Sequence, residues 1–248
     1  MNNTVTIICP VYNSSKYLAN CIDSVIAQTN EDWEMVLADD CSLDDSVAII
    51  QEYKEKDGRI KLVQMSQNGG TGIARNRAIE LATGRYIAFL DSDDLWHPRK
   101  LELQLKFMKE NNLPFTFTSY NLVDEFGNQL SKTFDAIPVI TYGRALFKNP
   151  IGCLTVIYDT KFFGKQYMPN IRKRQDYALW LKLLKKTNAY GFNKVLASYR
   201  YGNQSISSNK IDLIKYEWKI YRDIEGLSLF RSSFYLLSAI VLKLRSYF

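Results

Sequence analysis

Residues 4–94 alternate short apolar runs with stretches of helical periodicity. Thr4 to Cys9 is β-branched and apolar, a first strand. Ser14-Ser15 is a candidate N-cap, after which Leu18, Cys21, Ile22, Val25 and Ile26 recur at helical spacing as far as Gln28. Glu34 to Ala38 predicts a second strand, and Asp44-Asp45 opens a helix that carries Val47, Ile50 and Tyr53 on one face and ends at Gly58. Arg59 to Met65 predicts a third strand, Asn68 to Gly72 a tight loop, Ile73 to Ala82 a helix, and Tyr86 to Leu90 a buried fourth strand. Four strands joined by three helices through short connections imply a parallel sheet covered on both faces.

The later pattern is mixed. A helix is expected from Pro98 to Asn111, a strand over Phe115–Val123, and a turn at Asp124–Asn128 leading into a strand over Gln129–Phe134. A short helix over Thr141–Lys148, a strand over Thr155–Tyr158, a helix over Asp176–Lys186 and a late strand over Tyr190–Tyr199 follow. These elements should extend the first sheet, with no internal repeat and no linker. Ile211 to Ile224 predicts a helix with apolar and basic sides. Phe234 to Leu244 is strongly apolar yet shorter than the about 20 residues that span a bilayer. Two readings stay open for it: an interfacial helix with aromatics and cations at the boundary, or a helix packed on the domain or on a second subunit.

Three of the first four strands end in polar residues at the rim where open α/β sheets bind ligands: Tyr12-Asn13, Asp39-Asp40, and Asp91-Ser92-Asp93-Asp94. Carboxylates this close repel one another, and a divalent cation would relieve the repulsion. The alternative is a polar loop in which one Asp caps the helix near Pro98.

Composition is that of an ordinary globular chain of 248 residues. Net charge is +6, unevenly placed, and residues 161–200 hold ten Lys/Arg and one acid, Asp176. That patch favours an anionic partner, a phosphate, nucleic acid or an anionic lipid surface, unless it is simply a solvated face. The basic, aromatic-interleaved stretch Arg172–Lys186 is too weak a signal to predict a nucleic-acid partner. Cys9, Cys21, Cys41 and Cys153 form no CxxC pair and read as reduced core thiols, hence a cytoplasmic setting. No basic and apolar leader opens the chain. The single histidine, His97, excludes a multi-histidine metal site.

The blocks Val5–Asn13, Leu37–Ser42, Asn68-Gly69-Gly70 with Ala74-Arg75-Asn76, and Phe89–Asp94 stand in an order that resembles the family 2 glycosyltransferases of GT-A fold. Arg174 to Trp180 is similar to that family's later segment, with Gln175-Asp176 where Glu-Asp is common, so a neighbouring carboxylate is missing. Tyr199-Arg200 with Ser205-Ile206-Ser207 resembles its loop over the diphosphate. The resemblance implies a Rossmann-like, mostly parallel sheet flanked by helices. It implies a GT-A domain over 1–206, divided into a nucleotide-binding half (1–100) and a mixed α+β acceptor half (101–206), with a C-terminal helical segment over 207–248.

It further implies an inverting enzyme that moves a sugar from a UDP-sugar to a hydroxyl of a glycan or lipid-linked acceptor in bacterial surface polysaccharide synthesis. Pro10, Tyr12, Asn13, Asp39, Asp40, Arg75, Asp91, Ser92 and Arg200 would bind the nucleotide, with Tyr12 stacking on the base and Asp40 reading its N3–H. Asp93, with Asp91, would hold Mn²⁺ or Mg²⁺. Asp94 and Trp180 would face a sugar, and Asp176 would be the catalytic base. Peripheral contact with the inner face of the cell membrane is expected through 207–248, and a homo-oligomer stays open.

The chemistry asks for the same groups. A departing diphosphate gains charge that a hard cation and nearby Arg or Lys stabilise, and oxygen ligands suit Mg²⁺ or Mn²⁺. The attacking hydroxyl needs a general base. Two other readings use similar acids: a nucleotidyltransferase, which would be expected to show a glycine-rich basic loop where Pro10–Asn13 has neither glycine nor cation, and a non-catalytic nucleotide-sugar or membrane-surface binding protein.

Overall fold

The computed structural model describes residues 4–202 and 210–245. In chain order the elements are β1 (Val5–Val11), α1 (Ser15–Ile26), β2 (Trp33–Asp39), α2 (Ser46–Lys56), β3 (Ile60–Gln64), α3 (Thr71–Leu81) and β4 (Tyr86–Phe89). Then come β5 (Leu95–Trp96), α4 (Lys100–Glu110), β6 (Phe115–Val123), β7 (Gln129–Phe134), β8 (Val139–Ile140) and α5 (Tyr142–Phe147). The rest are β9 (Ile157–Asp159), α6 (Thr160–Phe163), α7 (Gln175–Leu184), β10 (Ala189–Arg200), α8 (Lys210–Lys219) and α9 (Leu229–Arg245).

One sheet runs β3-β2-β1-β4-β9-β6-β10-β5, with β7 beside β6 and β8 beside β10. The leading quartet is parallel. β9 then enters antiparallel between β4 and β6, while β6 and β10 pair in parallel. Strand residues alternate between two cores. Ile8, Val36, Ala38, Ile87 and Phe89 pack with α3 and α7, while Ile7, Cys9, Met35, Leu37 and Ala88 pack with α1 and α4. Both faces are covered, which is why these strands read as unbroken apolar runs rather than as apolar/polar alternation.

Because β1, β2 and β4 are parallel, their carboxyl ends share one rim, and the loops 12–14, 40–45 and 90–94 emerge there together. The opposite end is tied by Glu34. Its Oε1 accepts from the Thr6 hydroxyl (2.6 Å) and the Thr83 N–H (2.6 Å), and its Oε2 pairs with Lys61 Nζ at 2.5 Å.

Three local expectations shift, and one short strand had not been expected. Thr155 belongs to a tight 3₁₀ turn, its N–H and hydroxyl both donating to the Gly152 carbonyl, so the strand begins only at Ile157. Leu95-Trp96 forms a two-residue strand against Ala197-Ser198, held by tertiary pairing rather than by any local pattern. The helix after Pro98 has Arg99 at its N-cap position, so no Asp of the 91–94 run caps it. The helix expected over Ile211–Ile224 ends as a π-helical turn at Ile220–Ile224, closed by the Glu225 N–H on the Ile220 carbonyl (2.8 Å).

α9 packs on the domain along part of its surface. Ser232 and Ala239 are buried, and Phe147 meets the rings of Phe234 and Tyr235 at 5.9 and 5.0 Å. Leu229, Phe230, Phe234, Leu237 and Val241 nevertheless remain exposed. No helix among the described residues is long and apolar enough to cross a membrane.

Candidate active site

The rim is built by loops that hold one another. Asn13 takes a left-handed conformation (φ 48°); its N–H donates to the Ser42 hydroxyl and its side chain accepts from the Leu43 N–H. Asp39 accepts from the Ser42 N–H at 3.2 Å, bracing the turn in which Cys41 is also left-handed (φ 65°). Asp40 is buried, and its two carboxylate oxygens accept from the Gly69 and Gly70 N–H groups, each at 2.7 Å. Asn68 Nδ2 adds a bond to the Asp40 carbonyl (3.0 Å). The Asn-Gly-Gly loop is thereby locked onto the end of β2, and Gly70 (φ 85°) supplies the backbone shape the lock needs. Pro10 lies within β1 opposite Ala38, and Tyr12 is 50% exposed beside them.

The Asp91–Asp94 run divides its partners. Asp91 pairs with Arg75, a guanidinium that is 4% exposed. Ser92 and Ser14 share a hydroxyl hydrogen bond of 2.7 Å; Ser14 stands at the N-cap position of α1 but spends its side chain here instead of capping. Asp94 Oδ1 accepts from the Arg200 N–H at 2.9 Å. Arg200 reaches back with Nε to the Asp93 carbonyl (2.8 Å), while Nη1 donates to the carbonyls of Asp124 and Glu125. Its guanidinium lies 4.5 Å from the centre of the Tyr17 ring.

Charge is concentrated here. Burial, then the neighbouring Asp91, pushes the Asp93 carboxyl up to about 6. Burial, then Asp93 and Asp91, raises Asp94 well above the carboxylate range. Burial works against the Arg75 cation, but Asp91, followed by Cys153 and Asp176, outweighs it and holds Arg75 charged. Cys153 is pushed up by burial and by Asp91, Asp176 and Asp94, with Arg75 opposing. Asp176, one residue into α7, thus belongs to the same electrostatic neighbourhood as Asp91 and Asp94.

Two sequence expectations need restating. Trp180, expected to face a sugar, is fully buried, edge-on to Phe89 at 5.4 Å and beside Phe115 at 5.8 Å, so it is a core residue. It lies one turn beyond Asp176 on the same face of α7, where that face packs against Phe89 of β4 and Phe115 of β6. Ser205–Ser207, expected to close over a diphosphate, lie outside the described residues. The structure also adds Ser14, Tyr17, Cys153 and the Gly69 and Gly70 N–H groups. Of these only the glycines had a sequence signal, the Asn-Gly-Gly turn itself.

A divalent metal fits the acid set in one manner. Among the described residues no three His, Cys, Asp or Glu side chains converge on one metal position. Asp91 is committed to Arg75 and Asp94 to Arg200, whereas the Asp93 carboxylate accepts no hydrogen bond from another described residue. One free, crowded carboxylate suits a hard cation that takes its remaining oxygens from substrate phosphates and water.

A helix-covered sheet whose first four strands are parallel, with acids at their carboxyl rim and an Asp-bearing helix beside them, is the arrangement of a glycosyltransferase of the GT-A type. The chain belongs to glycosyl transferase family 2, whose family model matches residues 6–168. Among curated proteins it is 47% identical over 230 residues, covering 92% of this chain and 91% of the relative, to a putative teichuronic acid biosynthesis glycosyltransferase, TuaG, of Bacillus subtilis. It is 38% identical over 245 residues (98% and 94% of the two chains) to the Escherichia coli UDP-Glc:alpha-D-GlcNAc-diphosphoundecaprenol beta-1,3-glucosyltransferase WfgD. The fold is similar to that of S. aureus TarS 1–349, solved with UDP-GlcNAc: TM-score 0.75 at 21% identity, covering 96% of this chain and 71% of that one. A mannosyltransferase from Pyrobaculum calidifontis, solved with GDP-Man and Mn²⁺, gives a TM-score of 0.69 at 14% identity, covering 97% and 73%.

Proposed function

We propose that this glycosyltransferase moves a sugar from a UDP-sugar to a hydroxyl of a lipid-linked glycan, with inversion at the anomeric carbon. The observation that carries the proposal is the Asp40 lock: a buried carboxylate fixed on two backbone N–H groups at the rim, beside a half-exposed Tyr12. Each Asp40 oxygen keeps a second lone pair, and an acceptor next to an aromatic face suits a planar base bearing an N–H. The names of the relatives, one a UDP-glucose enzyme acting on an undecaprenol-diphosphate glycan, support the donor and acceptor classes.

In this reading Tyr12, Pro10, Asn13 and Asp39 shape the base pocket, and Arg75, Asp91 and Ser92 hold the ribose and the first phosphate. Asp93 is the residue that would hold Mn²⁺ or Mg²⁺, which when bound would offset the charge developing on the leaving diphosphate. Arg200, positioned over Tyr17, adds fixed positive charge on the same side. Asp94 lies deeper, where a transferred sugar would sit. Asp176 takes the proton of the attacking hydroxyl from the face opposite the leaving group, which is what produces inversion.

The exposed apolar stripe of α9, with Arg231 among it, rests on the cytoplasmic leaflet and brings the site to its lipid-linked acceptor. The test is Asp176→Asn. UDP binding by calorimetry should stay within about threefold of wild type while transfer falls at least about a hundredfold. An Asp176→Asn protein with undiminished transfer would remove the mechanism.

A further inference from the structure

We infer that the segment from α8 through the π-helical turn is a splint for the helix that carries Asp176, and that Glu217 and Tyr221 are positioning residues for catalysis. The inference rests on Asp176 being the base.

α7 starts under unusual conditions. The residue before it, Arg174, occupies the N-cap position in a left-handed conformation (φ 63°, ψ 18°), and no side chain caps the helix. Ser, Thr, Asn or Asp is the ordinary choice there, and a long β-substituted side chain at positive φ persists only where its surroundings hold it. The restraint is Glu217 of α8, which is 4% exposed and whose Oε1 accepts from Arg174 Nη2 at 2.9 Å.

Two further contacts follow in the same direction along both segments. Tyr221 and Tyr177 bring their hydroxyl oxygens to 3.3 Å. The Tyr177 hydroxyl donates to the Ala145 carbonyl (2.9 Å) and the Tyr221 hydroxyl to the Leu146 carbonyl (2.8 Å), so both rings are anchored on α5. Beyond the end of α7, Lys185 Nζ pairs with Glu225 at 2.8 Å, and Glu225 also accepts from the Tyr142 hydroxyl. The pairs 174/217, 177/221 and 185/225 therefore follow one another in the same order along both segments, and the π-helical turn places Tyr221 and Glu225 against α5 and the end of α7.

On its other side α7 abuts the donor half. A Cβ on Gly72 would lie 3.2 Å from the Gln175 Cγ, so the first residue of α7 sits against the start of α3 with no slack. Asp176, next in line, follows a residue fixed against Gly72 of α3 and lies two residues beyond the one paired with Glu217. Displacing a base by about 1 Å is enough to lose most of its effect on rate. The segment after residue 209 thus sets where the base points, besides presenting the apolar stripe of α9.

The test measures UDP release from UDP-glucose and from UDP-N-acetylglucosamine with Mn²⁺, water serving as the acceptor, in wild type, Glu217→Ala, Glu217→Gln, Arg174→Gly, Asp176→Asn and the double variant Asp176→Asn/Glu217→Ala. Glu217→Ala should lower kcat about tenfold or more while donor KM moves less than about twofold. Glu217→Gln keeps an acceptor for Arg174 and should return kcat to within about threefold of wild type. The double variant should be no slower than Asp176→Asn alone, because Glu217 acts through Asp176. Arg174→Gly accepts the left-handed backbone without strain and removes the whole side chain with its guanidinium, so it reports on the pair even if Glu217→Ala does not fold.

A kcat for folded Glu217→Ala or Arg174→Gly equal to wild type overturns the splint, as does a double variant whose losses multiply. Equal losses in Glu217→Gln and Glu217→Ala also overturn it. The underlying reading fails separately: a fully active Asp176→Asn refutes the base, whereas an inactive Asp176→Asn beside an unaffected Glu217→Ala refutes the splint alone.

Discussion

Asp93→Asn separates the charge held at the rim from the fold that holds it. Asp93 titrates at about 6 because burial and the Asp91 charge disfavour its ionised form. A carboxyl raised in the folded state contributes stability below its unfolded value of about 3.8, and that contribution is lost as pH rises through about 6. A separation of about two pH units corresponds to about 3 kcal/mol of destabilisation at pH 7.5, an upper figure because the side chain is only partly buried. The neutral amide removes this term but keeps a desolvation cost of its own. Asp93→Asn without metal should therefore be more stable than wild type by about 1–3 kcal/mol at pH 7.5, a rise in Tm of roughly 2–12 °C for a chain of this size. The advantage should shrink to about a third at pH 4.5, where folded wild-type Asp93 is protonated while the unfolded chain's is still mostly ionised. With Mn²⁺ and UDP added at pH 7.5 the order should reverse, wild type gaining stability by linkage and the variant gaining little. Thermal melts at both pH values, in EDTA and in Mn²⁺ with UDP, give all four numbers. An Asp93→Asn protein that is less stable than wild type in EDTA at pH 7.5 refutes the electrostatic argument. One that keeps the full Mn²⁺–UDP shift refutes the metal assignment.

Glu34 has the opposite sign. Burial would raise it, but bonds from Lys61, Thr6 and Thr83 carry it down to about 2, so its contribution is present above about 4.5 and disappears as pH falls towards 2. Acid unfolding followed by circular dichroism should show Glu34→Gln losing about 3 kcal/mol less than wild type across that window, and parallel curves would count against it. Gly84→Ala places a Cβ 2.6 Å from the Thr4 carbonyl oxygen and 2.7 Å from the Thr6 nitrogen. Urea denaturation should report a loss of about 1–3 kcal/mol, and an unchanged midpoint would show that this approach is not tight. Phe230→Ser with Leu237→Ser removes two exposed side chains of the α9 stripe. Co-sedimentation with phosphatidylglycerol vesicles should fall severalfold with Tm unchanged; equal sedimentation would leave the membrane without a part in the account.

The leading half was legible because its physics is local. β1, β2 and β4 are buried along their whole length, so they appear as apolar runs, the edge strand β3 is only partly buried, and each helix between them needs one apolar stripe; these signals fit within a window of a dozen residues. Strand ends slipped by one or two residues: β1 continues to Val11 and β2 to Asp39, carried by the parallel ladder between them. The later half depends on partners far away in the chain. Leu95-Trp96 is a strand only because Ala197-Ser198 lies beside it, and β9 takes its place between β4 and β6 with no sign in its own three residues of which neighbours it will have.

The same division runs through the site. Asp39, Asp40, Asp91, Ser92, Asp93 and Asp94 could be picked out because parallel strands must deliver their carboxyl ends to one rim. What each acid does there was hidden. Three carboxylates within four residues give no sign that one is spent on Arg75 and another on the Arg200 backbone, leaving the third without a hydrogen bond from another described residue. Trp180 shows the converse. It stands in a motif with Asp176, and motif membership suggested a shared role, but four residues along a helix is a full turn, and which way that turn faces is set by the sheet beneath it. Cys153 left no trace at all, since a lone thiol between a glycine and a leucine has no pattern, and only the folding of β9 against β4 carries it beside Arg75. Sequence therefore names the residues that a site must contain, while the partition of their charges is a property of tertiary contacts. That is why variants of Asp91, Asp93 and Asp94, adjacent in the chain and alike in type, should behave differently from one another. Losing Asp91 leaves a buried Arg75 cation unpaired and threatens the fold. Losing Asp94 frees the backbone N–H at the end of β10, and losing Asp93 relieves a repulsion.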